Sequence, residues 1–207
     1  MAETLTLRRA LRRGEERLAA AGISDARMEA RLLLEHALGT NTARLYLQLE
    51  EALAEDGMAR FLRALERRAR REPLAYVTGH VEFYSLDLLV DHRVMVPRPE
   101  TETLVDAALA WARERTSPLL AADIGTGSGC MAIALAAGHP SLRFYAADIS
   151  EEALTVARAN AHHHQVAGLV TFLVGHLLEP LPSPVDLLVA NLPYIPTPVV
   201  ETLMPEI

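Results

Sequence analysis

The stretch "LLAADIGTGSGCMAIALAAG", residues 119–138, constrains the fold more than any other part of the chain. A run of strand character ends in Asp123–Ile124. Gly125, Gly127 and Gly129 follow at alternate positions, and an alanine-rich helix begins at once. Glycines there let the backbone bend sharply and approach a ligand with no Cβ in the way. The helix start adds free N–H groups facing the same space. A second strand, "LRFYAADI", leads to a helix capped by Ser150, with Glu151 and Glu152 in its first turn. "LVTFLVG" reads as a third strand and "VDLLVA", residues 185–190, as a fourth, buried one. Strands alternating with helices across short loops predict a parallel α/β sheet.

The glycine spacing narrows the ligand. A dinucleotide fingerprint wants G-x-G-x-x-G; here the sixth position is Cys130, which leaves G-x-G-x-G. With the acid Asp123 two residues before the first glycine, this favours S-adenosyl-L-methionine, a ligand with a ribose and an amino-acid tail. Asp148 closes the second strand, 23 residues after Gly125. A nucleotide fold sets there the carboxylate that accepts both ribose hydroxyls. "VGHLLEP" brings His176 and Leu177 beside the expected adenine.

The fourth strand leaves through "VANLPYIPTP", residues 189–198. Ligands of open α/β sheets bind at the carboxyl edge, and methyl transfer needs a nucleophile held in line with the donor, about 3 Å away. A planar amide or aromatic amine has a delocalised lone pair. The Asn191 side-chain oxygen and the Leu192 carbonyl offer two acceptors for its N–H bonds, which localise that pair. Pro193 stiffens the bend and Tyr194 stacks on the flat group. The turn is read as a grip for an –NH₂ on a planar system.

The rest of the chain divides around this sheet. Residues 4–71 carry leucines at helical spacing, with Ser24 as an expected N-cap, Gly39 as a stop, and further helices near 42–54 and 57–71. The Arg-rich stretch 67–71 is read as a solvated face. Pro73 ends the helices, and residues 73–98 read as a β-hairpin linker. A helix then opens at Pro99, with Glu100 and Glu102 at its positive end. The expected organisation is a small N-terminal helical bundle (1–72), the hairpin linker (73–98) and a Rossmann-like α/β domain (99–207). Ile207 follows the fourth strand so closely that the sheet reads as shortened, its C-terminal strands missing.

Charge separates these parts. Residues 1–72 hold 14 Arg against 12 acids, about +2, and residues 73–207 hold 6 Arg against 15 acids, about −9. An acidic α/β half is a poor surface for bare nucleic acid, whose affinity comes mainly from phosphate neutralisation. The single Cys130 excludes an internal disulfide and suits a reducing cytoplasm. No apolar run has the length of a membrane span, and the Arg-rich helical amino terminus does not read as a signal peptide. His162, His163 and His164 occupy consecutive helical positions about 100° apart and do not converge on one ion, so no metal is expected.

"REPLAYVTGHVEFYSLDLLVDHRVMVPRPETE", followed by "DIGTGSG", "ADIS" and "NLPYI", resembles the release-factor glutamine methyltransferases, the PrmC/HemK family. The segment Pro97–Glu102 is the most discriminating part, and the resemblance spans essentially the whole chain. It implies a class I methyltransferase that methylates N5 of the glutamine in the Gly-Gly-Gln loop of peptide-chain release factors. Carried over, Asp123, Gly125, Thr126, Gly127, Ser128 and Gly129 surround the methionine end of the cofactor, and Asp148 holds the ribose. Asn191, Leu192, Pro193 and Tyr194 hold the target amide, Asn191 also bordering the cofactor, and the helical domain helps dock the release factor. His176 stands where the family usually has Asp, Leu177 where it has an aromatic ring, and Leu192 where it has proline. Two other readings stay open: a nucleic-acid amino-methyltransferase, and a non-catalytic module that binds release factors. An NAD-dependent dehydrogenase is disfavoured by Cys130.

Overall fold

The computed structural model describes residues 6–115 and 118–192. Two compact units part between Thr78 and Gly79, each around its own core.

The first unit is helical: α1 (Leu7–Ala20), α2 (Ala26–Leu38), α3 (Thr42–Leu47), α4 (Glu55–Ala69) and the short α5 (Leu74–Thr78). Leu18, Leu33, Leu34, Phe61 and Leu65 fill its interior. Gly39 closes α2 in the left-handed conformation, as expected. Ser24 does not cap that helix. Asp25 holds the cap position, its side chain bonding no helix N–H, and the Ser24 hydroxyl turns to the Asp25 carboxylate. The helix expected over 42–54 stops at Leu47. The reason lies in α1, whose first N–H groups need acceptors. Leu7 N–H donates to the Glu51 carbonyl and Arg8 N–H to that of Leu49. Intrinsic preferences of a few tenths of a kcal/mol per residue yield to that demand. Residues 74–78, expected to lie in a linker, form α5 because Val77 and Leu74 pack on the helical core.

The Arg-rich end of α4 is a solvated face only in part: Arg67 and Arg70 are exposed, Arg68 is not. Arg68 is buried and bonds both carboxylate oxygens of Glu29 on α2, at 2.5 and 3.2 Å. Arg67 pairs with Glu72 and donates to the carbonyls of Tyr76 and Val77. Arg71 reaches the Gly22 carbonyl beyond α1. These side chains stitch three helix ends together.

The second unit opens with an antiparallel hairpin of β1 (His80–Phe83) and β2 (Leu86–Leu89). Its two-residue turn, Tyr84–Ser85, has φ of 51° and 59°, the signature of a type I′ turn built without glycine. Two contacts hold it there. Tyr84 N–H donates to Glu102 at 2.7 Å and the Tyr84 hydroxyl to Asp106 at 2.8 Å. A 3₁₀ turn, Pro99–Thr101, leads into α6 (Glu102–Arg113). Then come β3 (Leu119–Ile124), α7 (Cys130–Gly138), β4 (Leu142–Asp148), α8 (Glu151–His163), β5 (Val170–Val174) and β6 (Leu187–Ala190). The sheet order is β5-β4-β3-β6, all parallel. Phe144, Leu142, Ile133 and Leu135 are fully buried in its core. This is the class I methyltransferase-like α/β fold expected from the sequence.

β6 starts two residues later than expected and is half exposed; of its four residues only Val189 is buried. Asp186, the charged residue of that run, prepares the pairing instead. Its N–H donates to the Leu120 carbonyl at 2.8 Å, and its carboxylate accepts from Leu120 N–H at 2.9 Å.

Candidate active site

Parallel register aligns the strand ends that the sequence singled out. Ile124 pairs with Ala147 on one side and Ala190 on the other, and Asp148 pairs with Val174. Along the carboxyl edge, the residues after β5, β4, β3 and β6 therefore stand in that order. His176 and Leu177 come first, then Asp148, the glycine turn, and Asn191.

The glycine turn is fastened at both ends. Gly125 and Thr126 N–H groups both donate to the Ala147 carbonyl, and Gly127 N–H donates to the Asp148 carboxylate at 2.9 Å. Gly129 sits at the start of α7 with φ 81°; a Cβ there would lie 2.9 Å from Ile133 Cδ1 and 3.1 Å from Ala157 Cβ. Gly125 has φ 70°, and its missing Cβ leaves room for Leu192, whose Cδ2 would be only 2.6 Å away. The two bends are thus in contact range. Around Gly127 nothing lies within 4 Å of such a Cβ, so the turn has an open face.

Asp148 is shared between fold and site. One carboxylate oxygen accepts from Gly127 N–H and the other from Ser150 N–H at 2.9 Å. Both contacts hold the carboxylate beside the open face, with lone pairs left for a diol. Ser150 itself caps α8 by accepting from Ala153 N–H. Replacing Asp148 by alanine is expected to weaken S-adenosylmethionine binding by about 1.5–3 kcal/mol, the scale of hydrogen bonds to a charged group. Titration calorimetry checks this, and unaltered affinity removes the ribose assignment.

Asp123 is fully buried. One of its oxygens accepts from the Thr126 hydroxyl at 2.7 Å and from Ala132 N–H at 3.2 Å, tying the turn to α7. The other has no partner, and the buried Ser128 hydroxyl also lacks one. Burial pushes the Asp123 carboxyl up from 3.8 to about 6, with the Asp148 charge adding to the rise. The folded unit therefore favours neutral Asp123. Its stabilising contribution is complete below about pH 4 and is lost as pH rises through about 6. The second unit is expected to lose on the order of 2–3 kcal/mol over that interval. Asp123→Asn is expected to flatten the slope, read from denaturant unfolding monitored by Trp111. Burial, reinforced by Asp123, likewise raises the Cys130 thiol to about 12, so it stays protonated.

The remaining predicted residues fall as follows. His176 and Leu177 are exposed in the turn after β5, which Gly175 N–H ties to the Asp148 carbonyl. Leu177 adopts φ 49°. Asn191 and Leu192 follow β6 directly, and Asn191 Nδ2 donates to the Thr101 hydroxyl at 2.8 Å. Pro193 and Tyr194 lie outside the described residues. His163 ends α8 and His164 caps it, its Nε2–H donating to the Asp87 carbonyl at 2.8 Å.

One side chain of this unit gave no signal in the sequence. Asn160, on α8, is fully buried. Its Nδ2 donates to the Leu89 and Ser128 carbonyls, both at 2.9 Å, and its Oδ1 accepts from Leu89 N–H at 2.7 Å. It joins the hairpin to the glycine turn. A polar residue among helical alanines reads as surface unless its partners are known.

The open glycine face, the carboxylate beside it and the neighbouring amide side chain fit a methyl donor of the S-adenosylmethionine type. Residues 9–79 match the family model described as PrmC N-terminal domain, and residues 109–202 match the Methyltransferase small domain. The release factor glutamine methyltransferase of Moorella thermoacetica is 48% identical over 197 residues, covering 93% of this chain and 68% of that protein. The chain belongs to the release factor glutamine methyltransferase family. The Deinococcus radiodurans member is 42% identical over 98% of this chain and 72% of its own length. The Geobacter sulfurreducens member is 40% identical over 99% and 71%. Among release factor glutamine methyltransferases, then, the match takes in both units of this chain and about seven-tenths of each relative.

Proposed function

We propose that this chain transfers a methyl group from S-adenosyl-L-methionine to N5 of the glutamine in the Gly-Gly-Gln motif of peptide-chain release factors, in the cytoplasm. The supporting observation is the pairing of Ile124 with Ala190, which sets the glycine turn beside the bend at Asn191. The identity to named family members supports the same acceptor.

The bound cofactor supplies an electrophilic methyl on a sulfonium. Asp148 would accept the ribose hydroxyls, and the backbone of Gly125–Gly129 would hold the methionine end. Asn191 Oδ1 and the Leu192 carbonyl accept the two N–H bonds of the target amide, drawing the nitrogen lone pair out of conjugation and toward the methyl. Transfer would form a C–N bond as the C–S bond breaks, the bonding pair staying on sulfur. The methylated amide then loses its extra proton to water, so no catalytic base is assigned. Tyr194 and Pro193, outside the described residues, keep the stacking and stiffening roles read from the sequence. Residues 1–72 serve the docking of the release factor, and residues 99–207 the chemistry.

Incubating the purified chain with labelled S-adenosylmethionine and release factor, tRNA, rRNA or DNA tests the assignment. Label on the release factor glutamine, located by peptide mass spectrometry, is the expected result. Label on nucleic acid overturns it in favour of a nucleobase acceptor. No transfer and no cofactor binding at millimolar concentration favour a binding module instead.

A further inference from the structure

A carboxamide has two ends of almost the same shape and opposite function. Turned by 180°, Asn191 would offer its –NH₂ to the –NH₂ of the incoming glutamine, donor against donor. Asn191 is itself exposed, so neighbouring water does not choose between the two orientations. In the structure one buried contact goes with the orientation it adopts, Nδ2 donating to the Thr101 hydroxyl.

We propose that Thr101 is a positioning residue for Asn191, its hydroxyl oxygen accepting the Asn191 Nδ2–H and thereby turning Oδ1 toward the acceptor amide. This rests on the methyl-transfer reading given above. The distance is 2.8 Å, and Thr101 is only 4% exposed. An acceptor in that setting is not readily exchanged for water, and leaving it unpaired is costly. Thr101 is held from its own side. It ends the 3₁₀ turn begun by Pro99, its N–H donates to the Arg98 carbonyl, and the next residue, Glu102, anchors the hairpin turn at Tyr84. The acceptor is therefore fixed before any substrate arrives. The segment Pro99–Glu102 so acquires a role at the reacting atom that helix-start chemistry does not explain.

The test compares Thr101→Val, Thr101→Ala and Thr101→Ser in the full chain. Valine keeps the shape and loses the acceptor; alanine loses both; serine keeps the acceptor. Val and Ala variants are expected to lower kcat roughly 3- to 10-fold, the effect of one neutral hydrogen bond. KM for release factor and affinity for S-adenosylmethionine are expected to stay put, and Ser to restore kcat. A second readout needs no turnover. The Asn191 side-chain amide, identified in ¹⁵N spectra by its absence from Asn191→Ala, is expected to exchange with water slowly in wild type and Ser but fast in Val and Ala. Wild-type kcat in Val and Ala, a Ser variant as impaired as Val, or equal amide exchange in all four proteins overturns the positioning role. A wild-type chain inactive on release factor but with the slow Asn191 amide sinks the proposed acceptor and leaves the Thr101 anchor standing.

Discussion

Asn191→Ala is expected to lower methyl transfer to release factor by about 10²–10³-fold, the cost of removing one preorganised group at a reacting centre. Affinity for S-adenosylmethionine is expected to be nearly unchanged. The split follows from where Asn191 sits. It lies one residue beyond the Ala190–Ile124 pair, at the flank of the glycine turn rather than in it. None of the bonds that fasten the turn, from Ala147 or Asp148, passes through Asn191. Alanine therefore leaves the cradle intact and removes the proposed acceptor, together with its bond to Thr101. Single-turnover rates with saturating cofactor measure the loss. Wild-type turnover in the variant means that the amide is gripped elsewhere.

The second large effect concerns the helical unit. Arg68→Ala, or Glu29→Ala, is expected to destabilise that unit by about 3–5 kcal/mol, because either leaves an uncompensated charge in a buried place. The side chains of this pair are 8% and 12% exposed, unlike the surface pair Arg12–Glu16, which is worth well under 1 kcal/mol. Arg68→Met with Glu29→Leu is expected to recover most of the loss, since apolar residues of similar volume replace such pairs without penalty. Denaturant unfolding followed by far-ultraviolet circular dichroism reads the helical unit. Fluorescence of the single tryptophan, Trp111 on α6, reads the other. A loss below 1 kcal/mol in either single variant means that water reaches the pair.

Local chemistry explains which parts were legible in the sequence. Strand–glycine–helix alternation and turn residues fix their own surroundings, so the sheet, the hairpin, the Gly39 stop and the Ser150 cap follow from neighbours in the chain. The places of Asp148 and Asn191 at the carboxyl edge follow from the same alternation. What was missed depends on partners far away in sequence. The 48–52 segment leaves the helical state because α1 needs its carbonyls. Arg68 is buried because Glu29, 39 residues earlier, awaits it. Thr101 and Glu102 read as ordinary helix-start residues until Asn191 and Tyr84 are seen against them.

Asn160 has a consequence for how the second unit opens. Its three bonds reach residues 71 and 32 positions away, so they break only when distant segments separate. The Leu89 amide proton, held by Asn160 inside that junction, becomes a gauge of the whole unit rather than of the hairpin. Its exchange with deuterium is expected to run at the pace of global opening, and a ligand bound at the glycine turn to slow it by a factor of one plus the ratio of free ligand concentration to Kd.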